Sequence, residues 1–180
     1  MSIGLVRGRV ALEPHNEAWE MQAAETISKL KSILQDDVVD VQHIGSTSIK
    51  NIHAKPIIDI VVGVRNFDDI MKHNDSLCEA GILYRREDHP GQHLYVCGDL
   101  HNDIHTHYIH VVIWNEEQWN NYINMRDYLN AHEERAKEYS ELKIQLAKVF
   151  SEDRILYTKG KNDLIQTILI EAKEWRKCII

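Results

Sequence analysis

The sequence has little of the residues that mark several special classes of protein. Its three cysteines form no Cys-x-x-Cys pair, so neither a disulfide framework nor a cysteine zinc site is expected. Eight glycines and three prolines among 180 residues argue against a flexible linker, a low-complexity tract or a repeat array. Basic residues are also in deficit, with 21 against 28 acidic ones and a net charge of −7. This balance argues against general binding to nucleic-acid backbones.

Long hydrophobic runs are missing as well. The longest, Ile57 to Val64, contains an aspartate and is far shorter than the roughly 20 residues of a membrane helix. Near the N-terminus, Arg7, Arg9 and Glu13 interrupt the apolar stretches before they reach the length of a signal-peptide core. We therefore expect a soluble, cytoplasmic protein that binds no membrane.

The hydrophobic periodicity predicts an α+β fold with a mixed β-sheet flanked by helices. Strands are predicted over 38–44, 57–64, 82–86, 92–96 and 104–114, and helices over 16–34, 49–52 and 68–80. From residue 116 onward the pattern is helical throughout and predicts three helices. We expect residues 1–114 to form an α/β core and residues 115–180 a helical extension packed on it as one compact unit.

Asp59 is the strongest functional signal, because it lies inside a continuous β-branched run. An ionised carboxylate in a buried strand loses its water and must find a cation or several donors. A metal ion, Lys55 just upstream, or the amides of a nearby loop would each serve. A purely architectural ion pair with a buried Arg or Lys is the alternative.

A glycine followed by small hydroxyl residues ends the preceding strand, in the order Gly45, Ser46, Thr47, Ser48. Glycine lets the backbone approach a ligand closely, and exposed amides with hydroxyls can surround a phosphate. The turn is therefore a candidate phosphate-binding site. An ordinary capped turn is the simpler interpretation of this stretch taken alone.

Histidines are crowded, since six of the eleven lie between residues 89 and 110. Strand alternation places His110 and Tyr108 on the face opposite to His107. If Asp59 and His110 face each other on neighbouring strands, with His43 at the mouth, these three residues form a candidate divalent-metal site. For any single histidine, a surface or hydrogen-bonded structural role is the alternative.

Taken in order, these segments resemble the GrpB family, also called UPF0157, of the nucleotidyltransferase superfamily. The resemblance rests on HIGSTS at 43–48, AKPIIDI at 54–60, HYIHV at 107–111 and RDYL at 126–129. It continues through Tyr139, Leu142 and Lys143 to Tyr157, Lys161 and Ile165. The likeness runs from about Val10 to Trp175. The motifs are specific to the family when they occur together in this order, although each one alone is not.

The resemblance implies a nucleotidyltransferase-like sheet in which Gly45 and Ser46 match the triphosphate-binding turn and Asp59 matches the first metal-binding acid. Val61 stands where the second acid of the Asp-x-Asp/Glu pair belongs, and His110 is the candidate for a third ligand. Two-metal phosphoryl transfer depends on bridging carboxylates, so Val61 is a departure that bears on mechanism. The helical side of the pocket would carry Arg126, Tyr139, Lys143 and Lys161.

The leading hypothesis is a protein that binds a nucleotide phosphate at 45–48 and a divalent ion at Asp59 with His110, and transfers a nucleotidyl group to a small acceptor. Lys55 and the ion would stabilise charge on the transferred phosphate. Magnesium or manganese is the expected metal, with zinc as an alternative. The rival hypotheses are a binding module that has lost the chemistry and acts as a sensor or partner protein, and a histidine-rich metal-dependent hydrolase.

Overall fold

The computed structural model describes residues 3–179, without the side chain of Asp88. One mixed sheet forms its centre, in the order β2-β3-β6-β5-β4, with β1 paired to β6. The strands are β1 (Leu5–Val6), β2 (Asp40–Ile44), β3 (Ile58–Val64), β4 (Leu83–His89), β5 (Gln92–Asp99) and β6 (Ile104–Ile113). Only the β3–β6 pair is parallel among the described strands. The predicted α+β class with a mixed sheet is confirmed.

Helices cover both faces of this sheet. They are α1 (Ala18–Leu34), α2 (Asp68–Met71), α3 (Asn74–Glu79), α4 (Glu117–Ala131), α5 (Glu133–Val149), α6 (Arg154–Gly160) and α7 (Asn162–Ile179). Among residues 3–179 no helix has the length and apolar character needed to cross a bilayer. The division of the chain at residue 114 stays a prediction.

The first face of the sheet carries the main hydrophobic core. Helix α1 presents Trp19, Ala23, Leu30 and Leu34 at helical spacing, and all four are buried. They pack against alternate residues of β3 such as Ile58, Ile60 and Val62. The helical periodicity of α1 therefore has its expected physical cause, the burial of one apolar stripe.

The second face is covered by the C-terminal helices. Val61 and Val112 pack under Trp119 of α4 together with Ile44. Helices α4, α5 and α7 share a further core, to which Ile49 contributes from the segment after β2. Functional side chains on this face of the sheet therefore lie between the strands and the C-terminal helices.

Two predicted helices between the strands were wrong in detail. The helix predicted over 68–80 is two short helices, with a break where the side chains of Lys72 and His73 both bind Asp37, each at 2.8 Å. The helix predicted over 49–52 does not form, because Asn51 has a positive φ of 62° and Ile49 is extended. A 3₁₀ turn over Ser46–Ser48 takes its place.

The helical region after residue 116 contains four helices within the described chain, where three were predicted. Helix α5 ends at Val149, and the side chain of Asp153 then caps α6 by accepting hydrogen bonds from the amides of Ile155 and Leu156. An N-terminal cap of this type satisfies amides that have no partner inside the helix. The extra helix matters because it faces the site described next.

Candidate functional site

Asp59 lies at the centre of the sheet on the face covered by the C-terminal helices. In the register of the strands it pairs with Ile44 of β2 and Tyr108 of β6. His110, two residues further along β6, lies on the same face, with its Nε2 3.2 Å from Oδ1 of Asp59. The predicted contact between the side chains of Asp59 and His110 is therefore observed.

A cavity of about 240 Å³ opens beside Asp59, and its lining is rich in cations. We call it the cationic pocket; four cationic side chains line it with Asp59 as the one carboxylate, namely Lys55, Lys143, Arg154 and Lys161. None of these four takes part in a salt bridge within residues 3–179. Positive charge thus exceeds negative charge at this site, although the chain as a whole is acidic.

Aromatic rings hold three of these cations in place. The ammonium groups of Lys55 and Lys161 lie 5.5 and 5.1 Å from the ring centroid of Tyr157. Arg154 donates a hydrogen bond of 3.1 Å to the hydroxyl of Tyr108. Burial, together with the charges of Lys161 and Arg154, lowers the pKa of Lys55 to about 8. A negatively charged ligand would reverse this effect.

Lys143 is the most deeply placed cation, with only 1 % of its surface exposed. Its ammonium group donates to the backbone carbonyl of His53 and lies 4.5 Å from the ring centroid of Tyr139. Burial and the nearby charges of Lys161 and Lys55 hold the pKa of Lys143 well below its ordinary value. Proteins rarely bury a lysine without a counter-charge, and here a carbonyl and an aromatic ring take the place of a carboxylate.

The Gly-Ser turn is pressed against Asp59. Gly45 has φ 70° and ψ −172°, a region open almost only to glycine, and a Cβ there would lie 2.5 Å from Oδ2 of Asp59. The Ser48 hydroxyl donates to the Gly45 carbonyl at 2.7 Å, and the Thr47 hydroxyl is bound to His43 at 2.9 Å. Ser46 and Thr47 both line the cavity, and among the described residues the Ser46 hydroxyl is the one of these three that makes no such hydrogen bond.

His43 does not join Asp59 and His110, so the structure does not assemble the predicted set of three metal ligands. It pairs with Ile60 in the register of β2 and β3, and Ile60 belongs to the core under α1 on the opposite face. The one-residue step from Ile44 to His43 reverses the side-chain direction. Within residues 3–179 no group of three potential ligands is placed to hold a metal ion.

Hydrogen bonds continue from His110 away from Asp59. Nδ1 of His110 lies 3.4 Å from Nε2 of Gln92 on β5. The hydroxyl of Tyr122 on α4 donates to Oε1 of Gln92 at 2.7 Å, and the Tyr122 ring lies 5.3 Å from the imidazole ring. Gln92, which connects His110 to Tyr122, is 3 % exposed and is therefore buried.

A second cavity of about 250 Å³ adjoins the first and shares Ser46, Asp59, His110 and Lys161 with it. Most of the side chains that line it are apolar or aromatic: Ile44, Ile49, Tyr122, Met125, Tyr139 and Ile165. Arg126 also lines it, but its guanidinium binds Gln42 Oε1 at 2.9 Å, the carbonyl of His43 at 3.1 Å and Asp127 at 2.8 Å. Arg126 thus joins α4 to β2, and Asp59 stands at the junction of the two cavities.

Val61 occupies the position at which the resemblance led us to look for a second metal-binding acid. It is fully buried under Trp119. The residues present therefore fit a single Mg²⁺ or Mn²⁺, which binds through one or two carboxylates completed by water and phosphate oxygens. They do not fit two ions bridged by several carboxylates.

Three residues of the site were not recognised in the sequence. Arg154 reaches the cationic pocket from α6, whose only sequence signal is the cap at Asp153. Gln92 and Tyr122 lie 30 residues apart, on a strand and a helix that meet only in the folded chain. Nothing in the local pattern of either one connects it to His110.

The mixed sheet with a Gly-Ser turn beside a strand aspartate defines a protein of nucleotidyltransferase fold. The chain is similar to the crystal structure of the Cid1 poly (U) polymerase, with a TM-score of 0.53 and 12 % identity, over 75 % of this chain and 44 % of that one. A second Cid1 structure, in complex with a UTP analogue, gives a TM-score of 0.51. Likeness at this level of identity shows the fold alone.

Within that fold the chain belongs to the GrpB family, whose sequence profile, described as GrpB protein, matches residues 9–171. The glutamate-rich protein GrpB of Alkalihalophilus pseudofirmus is 40 % identical over 94 % of this chain and 99 % of its own length. The UPF0157 protein YqkA of Bacillus subtilis is 32 % identical, and the match covers 49 % of that longer protein. The crystal structure of the conserved protein GrpB from Enterococcus faecalis superposes with a TM-score of 0.84 at 30 % identity, covering 92 % of this chain and 99 % of that one.

Proposed function

We propose that this protein binds a nucleoside triphosphate, with the phosphate chain in the cationic pocket. The observation that carries the proposal is the convergence of four cationic side chains and one carboxylate on a single cavity beside the Gly-Ser turn. Bringing like charges together is unfavourable in the empty protein. A polyanion that enters the pocket removes this repulsion and gains charge-assisted hydrogen bonds.

The arrangement of donors matches a chain of phosphates better than a single one. Lys143 is buried in the cationic pocket, Lys161 lies where the two cavities meet, and Ser46 offers its hydroxyl from the turn. Asp59 would hold a divalent ion together with phosphate oxygens, and the ion would neutralise part of the phosphate charge. The adjoining cavity, lined mainly by apolar and aromatic side chains, would take an uncharged part of the nucleotide or of an acceptor.

Transfer of the nucleotidyl group to an acceptor is the activity that this geometry supports. The oxygen of an acceptor hydroxyl would form a bond to the α-phosphorus and release its proton to water. The bond from the α-phosphorus to the bridging oxygen would break, and pyrophosphate would leave with the negative charge. Lys55, Arg154 and Lys161 would stabilise the negative charge on the leaving phosphates. In this account fixed cations supply charge that a second metal ion would otherwise provide.

A second candidate function is nucleotide binding without transfer, as a sensor or partner protein. The specific observation in its favour is Val61, which takes the second acid position and is sealed under Trp119. The two candidates share the binding site and differ in turnover. Release of pyrophosphate in the presence of hydroxylated small molecules therefore separates them.

The binding proposal is tested by thermal unfolding with each nucleoside triphosphate, in the presence of magnesium, manganese or zinc. Ligand that binds only the folded state raises the unfolding temperature. We expect a metal-dependent increase for the native protein that is lost in Asp59→Asn. Asp103→Asn is the matched control, because Asp103 has a side chain that is 52 % exposed and lies outside both cavities. An equal increase in Asp59→Asn, or none in the native protein, would contradict the proposal.

A further inference from the structure

The hydrogen bonds that begin at Asp59 have a direction, and it follows from the chemistry of the groups. An ionised carboxylate can only accept hydrogen bonds, so Nε2 of His110, 3.2 Å from Oδ1 of Asp59, must carry the proton. The other ring nitrogen, Nδ1, faces the amide nitrogen of Gln92. An amide nitrogen can only donate, so Nδ1 is the acceptor and requires that donor.

Gln92 supplies that donor. Its amide nitrogen lies 3.4 Å from Nδ1 of His110, and its carbonyl oxygen accepts from the hydroxyl of Tyr122. Each group in the order Tyr122, Gln92, His110, Asp59 thus donates to the next. A hydroxyl from α4, an amide from β5 and an imidazole from β6 together orient one carboxylate on β3.

From this order we propose that His110 is a positioning residue, which holds the Asp59 carboxylate through its Nε2–H and does not act as a metal ligand. Both ring nitrogens are committed, one to Asp59 and one to Gln92, so neither offers a lone pair to an ion. With Oδ1 held, the other oxygen, Oδ2, faces the turn at Gly45. Carboxylates that ligate metals are themselves commonly held by such outer hydrogen bonds.

The position of His110 in the sheet supports this role. It is paired with Val61 on β3 and with Leu94 on β5, which places it one strand away from Asp59. The Tyr122 ring beside the imidazole limits its rotation. This role of His110 deepens the proposed function. It depends on that function only in the experiment that measures ligand binding.

The first arm of the test measures the ring nitrogens of His110 by ¹⁵N NMR in the ligand-free protein at neutral pH. We expect a protonated Nε2 and an unprotonated Nδ1. In Gln92→Glu a carboxylate oxygen faces Nδ1, and we expect that nitrogen to gain a proton. Tyr84→Phe is the matched control, because it removes the hydroxyl bonded to Nδ1 of His93 at 2.9 Å and should leave the His110 signals unchanged.

The spectrum of the native protein shows which ring nitrogen of His110 carries the proton, even if Gln92→Glu fails to fold. An unprotonated Nε2 in the native protein would overturn the inference, because His110 would then present a lone pair towards Asp59. This arm needs no nucleotide. Its result is therefore independent of whether the proposed function is right.

The second arm compares His110→Gln with His110→Leu for binding of manganese with ATP. Glutamine keeps an N–H donor and leucine does not, so we expect His110→Gln to stay within about threefold of the native affinity and His110→Leu to fall by about 10- to 100-fold. A nitrogen coupling to bound Mn²⁺ in the native protein that disappears in His110→Gln would overturn the inference. If the native protein binds no nucleotide, the proposed function fails and the first arm still stands.

Discussion

Replacement of Lys55 by methionine tests whether the cationic pocket is destabilising in the empty protein. The pKa of Lys55 is about 8 against an ordinary value of 10.5, and each pKa unit corresponds to about 1.4 kcal/mol. Holding the ammonium in the pocket therefore costs at most about 3 kcal/mol. Because the side chain keeps some contact with solvent, we expect about 1–2 kcal/mol. Methionine keeps the apolar stem and removes the charge.

The pH dependence of this effect has a definite sign. Below pH 8 the lysine is protonated in both the folded and the unfolded chain, so the full cost is present. Between pH 8 and 10.5 the folded protein loses the proton first, and the native protein gains stability as the pH rises. The advantage of Lys55→Met at pH 7 should therefore shrink towards pH 10.

Urea unfolding at pH 7 and pH 9.5 measures both quantities, since the midpoint and slope give the free energy of unfolding. Lys50→Met is the matched control, because Lys50 is exposed and should show little change at either pH. A Lys55→Met protein that is less stable than the native one at pH 7 would refute the reasoning. A gain of equal size at both pH values would refute it as well.

Three further predictions concern Gly45 in the turn, the position of the missing acid and the half-buried His43. Gly45→Ala should lower the free energy of unfolding, measured from urea midpoints, by at least about 2 kcal/mol more than Gly81→Ala. Both glycines have a positive φ, but only a Cβ at Gly45 would collide with Asp59. Val61→Asp should cost at least about 3 kcal/mol by calorimetry, and an unchanged melting temperature with new metal binding would contradict this. Burial lowers the pKa of His43 to about 4 from 6.5, so stability should fall by up to about 3 kcal/mol between pH 6.5 and 4. His43→Gln should reduce that loss in urea titrations, whereas exposed His101→Gln should not.

The sheet and its first helix could be predicted because their causes are local. The β-branched run of β3 is continuous since nearly every residue of it is buried, and the apolar stripe of α1 repeats with the helical period. The same pattern singled out Asp59, because a carboxylate in such a run is conspicuous. The Gly-Ser turn was also recognisable locally, because a glycine followed by small hydroxyl residues ends the preceding strand.

The pocket could be predicted only in part, because its cations come from distant parts of the chain. Lys55 precedes β3, Lys143 lies on α5, and Arg154 and Lys161 lie at the two ends of α6. No spacing rule connects positions that meet only through packing. The resemblance pointed to Lys143 and Lys161, and the fourth cation, Arg154, became visible only when α6 was placed.

The prediction of His43 as a metal ligand failed for a different reason, which is the direction of its side chain on β2. A single residue decides which face of a strand a side chain occupies, and the sequence did not fix the register of β2 against β3. Ile44 pairs with Asp59, so His43 points the other way and bonds to Thr47. Two of the predicted site residues, His43 and Thr47, are therefore hydrogen-bonded to each other.

Calorimetric titration with inorganic triphosphate tests the central claim, that the cationic pocket binds a polyphosphate. The measurement compares the native protein with Lys161→Met, and with Lys159→Met as the matched control, since Lys159 is exposed on the same helix and lines neither cavity. We predict binding to the native protein and to Lys159→Met, and an affinity at least about tenfold lower in Lys161→Met, which corresponds to about 1.4 kcal/mol. An absence of binding to the native protein, or an equal loss in both variants, would contradict the claim.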